Sequence, residues 1–158
     1  MHAAWPEVER CLPQLWRTVR GYEANPALQE ELMQEVLLAI WRSLDKLRES
    51  ERLAPFVLRI AHNLGASHVR AAVRAPQRLD LDEAAAELPG SEAQDEEMRW
   101  LLKAVRRLPL PLRQVLLLQL EGFDYREIGE LLGLGVDNVG VRAHRARKQL
   151  QEMLDGRR

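Results

Sequence analysis

The apolar residues Leu28, Leu32, Val36, Ile40 and Leu44 recur at steps of four, with Met33, Leu37 and Trp41 beside them and Glu31, Gln34, Glu35, Arg42 and Asp45 on the remaining positions. This period traces one face of an α-helix, so an amphipathic helix is predicted over Ala27 to Leu47 with its apolar face buried. Upstream, Leu12, Leu15, Trp16 and Val19 predict a shorter helix, interrupted at Gly21 to Pro26. Downstream, Pro55 suits a first helical turn and opens a third helix through Phe56, Ile60 and Leu64 toward Ala75, where Pro76 stops it.

The pattern is helical again after residue 90. Ser91 and Gln94 have capping-box spacing and open a helix through Met98, Leu101, Leu102, Val105 and Leu108, which Pro109 ends. Pro111 starts another, almost uniformly apolar over Leu112 to Gln119. Asp124 and Glu127 form a second capping-box pair, predicting a short helix from Tyr125 to Leu132. Gly133 then supplies a left-handed turn, and a further helix begins near Val136. Val139, Ala143, Ala146 and Leu150 mark its inner face, and Arg142, Arg145, Arg147 and Lys148 lie mostly outside it. This is a helix-turn-helix pattern whose outer face suits the major groove of DNA. Taken alone, the same charges would also serve as a solvated face or complement the helix dipole.

Composition sharpens this picture. The 158 residues are 46% hydrophobic but only 5% aromatic, and Leu, Ala, Glu and Arg dominate. That predicts an all-α protein of two small helical bundles, with residues 1–78 and 91–158 as domains and 79–90 as an acidic linker. The single cysteine, Cys11, excludes an internal disulfide and fits a reducing cytoplasm. No apolar run is long enough to span a bilayer and the first residues lack a signal-peptide pattern, so no membrane insertion or processing is expected. Net charge is −1, but Leu79 to Met98 holds eight acidic residues and no Lys or Arg, leaving +7 for the rest. Lys46 to Arg78 holds seven basic and two acidic residues, a second positive region. There is no Gly-rich phosphate loop and no metal-ligand spacing, so no enzyme, no metal and no cofactor is expected.

The segments LMQEVLLAIWRSLDKLR, FVLRIAHNLGASHVR and LPLPLRQVLLLQLEGFDYREIGELLGLGVDNVGVRAHRARKQL together resemble the extracytoplasmic-function (ECF) sigma factors of bacterial RNA polymerase. Both domains of that family are matched in order. The resemblance implies a protein that binds core RNA polymerase and directs promoter-specific initiation. Its first domain would dock on the β′ clamp helices through Glu31, Gln34, Glu35, Leu38 and Asp45. It implies −10 element binding by Arg59, His62, Asn63, Ser67, His68 and Arg70, and −35 element binding by Arg126, Asn138, Arg142, Arg145, Arg147 and Lys148. Implied partners are core polymerase (β′ clamp helices and β flap), promoter DNA and an anti-sigma factor.

The chain also departs from the family pattern. The sequence SHVRAAVRA is poorer in positive charge than its family counterparts, implying weaker phosphate contact. Gly135, Asn138 and Gly140-Val141 stand where relatives commonly carry Ser or Thr, Thr, and Lys or Arg followed by Ser. The alternatives are a sigma-like regulatory or decoy protein working through protein partners, or a plain helix-turn-helix regulator.

Overall fold

The computed structural model describes residues 3–47, 52–74 and 93–157. The expected linker at 79–90, the stop at Ala75-Pro76, and Ser91 with the Gln94 side chain of the expected cap lie outside what is described. Every regular element among the described residues is helical. The chain divides into two compact units, Met1–Ala86 and Glu87–Arg158.

The first unit contains α1 (Trp5–Arg10), α2 (Leu12–Tyr22), α3 (Pro26–Ser43) and α4 (Leu53–Arg74), with a 3-10 turn at Leu44–Lys46. Helices α2, α3 and α4 pack on one another, and α1 lies against α2 and α4. The six-residue α1 is an element the apolar period does not reveal. Pro6 stands in its first turn, and Cys11 joins it to α2. Helix α3 begins one residue earlier than expected, because Asn25 accepts a hydrogen bond from the Ala27 N–H and Pro26 needs no donor there. Its inner stripe of Leu32, Met33, Val36 and Ile40, continued by Leu44, is buried. Trp41 departs from the expected buried face: it is exposed and meets Trp5 of α1 edge-on, ring centroids 5.2 Å apart.

Helix α4 starts two residues before Pro55, and its deepest face is not the expected Phe56, Ile60 and Leu64, which are half-buried. The buried side instead carries Val57, Leu58, Ala61, His62, Gly65 and Ala66. Small residues there admit close neighbours. A Cβ built on Gly65 would lie 2.4 Å from the Tyr22 ring, so only glycine lets that ring rest on α4.

The second unit contains α5 (Ala93–Arg107), α6 (Leu110–Leu120), α7 (Tyr125–Leu132) and α8 (Val136–Arg157). Helix α8 packs against α5, α6 and α7. Val115 and Leu118 of α6, Ile128 and Leu131 of α7, and Val139 and Ala143 of α8 form its core. Buried Arg113 joins α6 to the end of α5, donating to the Arg106 carbonyl at 2.6 Å and the Leu108 carbonyl at 3.2 Å. Those acceptors lie where a helix C-terminus leaves carbonyls unpaired.

Candidate nucleic-acid and partner interfaces

On α3, Glu31, Gln34, Glu35 and Leu38 are exposed on the side opposite the buried stripe. Asp45 is also exposed but belongs to the 3-10 turn that follows. Leu38 is 49% exposed, so the strip combines carboxylates and an amide with an apolar centre. Such a mixture suits a protein partner bearing Lys and Arg around an apolar contact.

On α4, Arg59, Asn63, Ser67 and Arg70 are exposed and, at 100° per residue, fall on one face with Arg74. The two histidines assigned with them do not. His62 is buried at 1% exposure, and its Nδ1 lies 2.6 Å from the Tyr22 hydroxyl. Burial pushes its pKa down to about 3, so the ring is neutral at physiological pH. A ring enclosed between α2 and α4 reaches no nucleotide, and His62 is removed from the promoter-facing set.

His68 is half-buried on another side of α4, with Nε2 2.7 Å from a Glu23 carboxylate oxygen. Burial raises the Glu23 pKa, but hydrogen bonds from His68 and from the Asn25 and Ala24 N–H groups outweigh it and hold the carboxyl below its ordinary value. Its position makes His68 a link between the end of α2 and α4, not a member of the Arg59 face.

The helix-turn-helix is assembled by local chemistry. The Asp124 carboxylate accepts from the Glu127 N–H at 2.8 Å, and the Glu127 carboxylate accepts from the Asp124 N–H at 3.1 Å, closing the capping box that starts α7. At its other end Gly133 has φ 72°, and the Gly129 carbonyl accepts from both the Gly133 and Leu134 N–H groups. A Cβ on Gly129 would lie 2.5 Å from the Leu134 carbonyl oxygen, so the turn closes only over glycine. Val139, Ala143 and Ala146 then bury α8 against α6 and α7 with short side chains.

The six residues assigned to −35 contact are not equivalent in this geometry. Arg145 and Lys148 project from the outward side of α8, exposed. Asn138 and Arg142 lie along one flank, joined by a 3.2 Å hydrogen bond from Arg142 Nε. Arg147, on the opposite flank, reaches Gln119 Oε1 at 3.4 Å and the Tyr125 hydroxyl at 3.3 Å. Arg126 on α7 is exposed, 4.0 Å from Glu130 one turn on. Among the described side chains of α8, Arg145 and Lys148 thus stand as outward cations, while Arg147 also braces α8 to its neighbours.

Comparison with known proteins bears on these surfaces. Residues 8–75 match the family model of Sigma-70 region 2, and residues 98–150 that of Sigma-70 region 4. The chain is 31% identical over 145 residues to the RNA polymerase sigma factor CarQ of Myxococcus xanthus, covering 86% of this chain and 82% of that protein. It is 30% identical over 159 residues to the ECF RNA polymerase sigma factor SigE of Mycolicibacterium smegmatis, 96% of this chain but 62% of the relative. The chain belongs to the extracytoplasmic-function sigma factors of the sigma-70 family. As a sigma factor, it binds core RNA polymerase and directs promoter-specific initiation of transcription. Its all-α fold is shared with the sigma factor RpoE of Bartonella quintana, solved with the anti-sigma factor NepR, at TM-score 0.76 and 22% identity over the whole of both chains. The likeness extends to CnrH, solved with the cytosolic domain of CnrY, at TM-score 0.71 and 22% identity over 96% of this chain and 86% of that one.

Within this sigma factor, three arrangements escape a reading of apolar period alone: Tyr22 on His62 and Gly65, Glu23 on His68, and Arg113 on the end of α5. Each joins one helix to another or to the end of another, and the first two are separated by 40 and 45 positions. The one signal in the sequence is a histidine and a glycine set among the alanines of α4, where neither is needed for helix formation.

Proposed function

We propose that the two domains of this sigma factor, 1–78 and 91–158 joined by the acidic stretch 79–90, divide its work between polymerase and promoter. Glu31, Gln34, Glu35, Leu38 and Asp45 dock on the β′ clamp helices. Arg59, Asn63, Ser67 and Arg70 face the −10 element. Arg126, Asn138, Arg142, Arg145, Arg147 and Lys148 serve the −35 element, with Arg145 and Lys148 foremost, and the second domain also meets the β flap. The observation that carries this reading is the division of α3 and α8 into a buried apolar side and a chemically suited exposed side, in segments matching regions 2 and 4.

The work is done in the cytoplasm, and among the described residues no helix is long and apolar enough to cross a membrane. An anti-sigma factor is the natural antagonist. Leu38 and Trp41, 49% and 44% exposed, are the apolar surface it would cover.

Promoter-dependent transcription with purified core polymerase tests the reading. Gln34→Lys with Glu35→Lys reverses charge on the docking strip without touching the buried stripe, and is expected to weaken core association while helicity is kept. Unchanged affinity for core polymerase would rule out this surface.

A further inference from the structure

The outward side of α8 is not uniformly basic. Opposite the buried Val139, Ala143 and Ala146 stand Asp137, Val141 and Lys148, with His144 and Arg145 to either side. The first six residues of the helix, Val136 to Val141, include no Lys or Arg. Val136 and Val141 are 50% and 47% exposed, and they share one shallow concavity with Tyr125, Gly140 and Arg145. A single exposed valine needs no explanation, but two around one hollow beside a glycine form a local apolar surface.

Resting on the reading of α8 as the −35 reader, we propose that Val141 recognises a thymine 5-methyl group in the major groove, and that Asp137 accepts a hydrogen bond from an adjacent exocyclic amino group. In a helix-turn-helix the N-terminal residues of the second helix meet base edges. An Arg or Lys there would select guanine through O6 and N7, but this helix offers none before Arg142. The base-edge features that remain matched are the thymine methyl, an apolar contact, and the amino groups of cytosine and adenine, donors to a carboxylate. Arg145 lies about 6 Å and Lys148 about 10 Å farther along the axis than Val141, where they hold phosphates and offset the repulsion that Asp137 would otherwise meet. The cationic end of the stripe makes duplex DNA, rather than an apolar protein surface, its occupant.

The test begins with holoenzyme reconstituted from the full chain and core polymerase, used to select −35 sequences from a randomised duplex. Each thymine of the selected element is then replaced by uracil, which removes only the 5-methyl group. At one or two positions uracil is expected to weaken promoter binding about fourfold, the loss of one buried methyl. Val141→Ala, a change at a solvent-exposed position, is expected to abolish that preference for thymine over uracil. Arg145→Ala is expected to weaken both duplexes alike and to reduce the salt dependence. An enriched −35 element in which no thymine-to-uracil replacement changes binding, or a Val141→Ala protein that keeps the preference, overturns the proposal while leaving −35 reading intact. Failure to enrich any −35 sequence, with initiation still dependent on the −10 element, overturns the reading of α8 itself.

Discussion

Glycine 129 and glycine 140 both sit inside helices of the second domain, yet they answer to opposite constraints. A methyl group at 129 would collide with the Leu134 carbonyl oxygen, whereas one at 140 would sit 3.6 Å from the Tyr125 ring, an ordinary contact. Gly140→Ala is therefore expected to stabilise the domain by up to about 1 kcal/mol, the propensity difference between the two residues. Gly129→Ala is expected to destabilise it by more than that gain, because backbone must move. Denaturant melts of the two variants should shift in opposite directions, and a common sign would contradict this account. Gly140→Lys keeps the favourable contact and places a cation near the duplex, so transcription is expected to rise on cognate and unrelated −35 templates alike. A loss on the cognate template with normal stability would mean that DNA, not the fold, requires the glycine.

His62 carries the residue-scale prediction for pH. Its pKa is held near 3 in the folded chain and returns to about 6.5 on unfolding, so the unfolded chain binds the extra proton between those limits. Stability is complete above about pH 6.5 and declines as the pH falls toward 3. Glu23 acts in the same direction at lower pH: its carboxyl is depressed below the ordinary 4.5, so its contribution is present above that value and lost on further acidification. Trp5, Trp16 and Trp41 report on the first domain, and their fluorescence should show its melting temperature falling between pH 7.5 and 5. His62→Leu is expected to flatten that dependence, and an unaltered slope would assign it elsewhere.

At the scale of elements, what was legible depended on how local the determining chemistry is. Helix α7 follows the expected Tyr125 to Leu132 because its capping box and its left-handed glycine act within ten residues of one another. Asp124→Ala is accordingly expected to cost the domain about 1 kcal/mol, measured as a shift in denaturant midpoint. Helix α1 was illegible, since six residues hold fewer than two turns and cannot display a period. The inner face of α4 was placed one residue away, on Phe56, Ile60 and Leu64, because alanine and glycine contribute little to an apolar pattern yet pack deepest where a partner ring lies close. That offset also explains the misassigned histidines. The family resemblance placed them in the DNA-facing segment, whereas their surroundings are set by Tyr22 of α2 and by Glu23 at its C-cap, some forty residues away. On α8 the inner face was legible, but the sorting of its cations into outward, flanking and bracing roles required the positions of Gln119 and Tyr125.

For the molecule as a whole, charge is divided rather than balanced. The eight acidic residues of Leu79 to Met98 lie between two basic regions, so the free chain presents DNA with attraction and repulsion together. Isolated Ser91 to Arg158 is expected to bind duplex DNA more tightly than the full chain at low salt, with the gap closing as salt screens the acidic stretch. Fluorescence anisotropy across a salt series measures it, and tighter binding by the full chain at every salt concentration would refute it. With charge divided in this way, productive promoter contact is expected to require the additional contacts made in the complex with core polymerase.

The shallow inner face of α8 has a consequence over longer times. Because Val139, Ala143 and Ala146 seat the helix through short side chains, the residues that stabilise it and those proposed to meet DNA lie on opposite sides of a single element. Outward residues such as Asp137, Val141 and Arg145 can change without disturbing the core that Ile128 and Leu118 form with it. If that outward side reads the −35 element as proposed, a few surface substitutions would redirect the chain to other promoters at little cost in folding, whereas changes in the buried seat or in the glycine turn before it would cost stability.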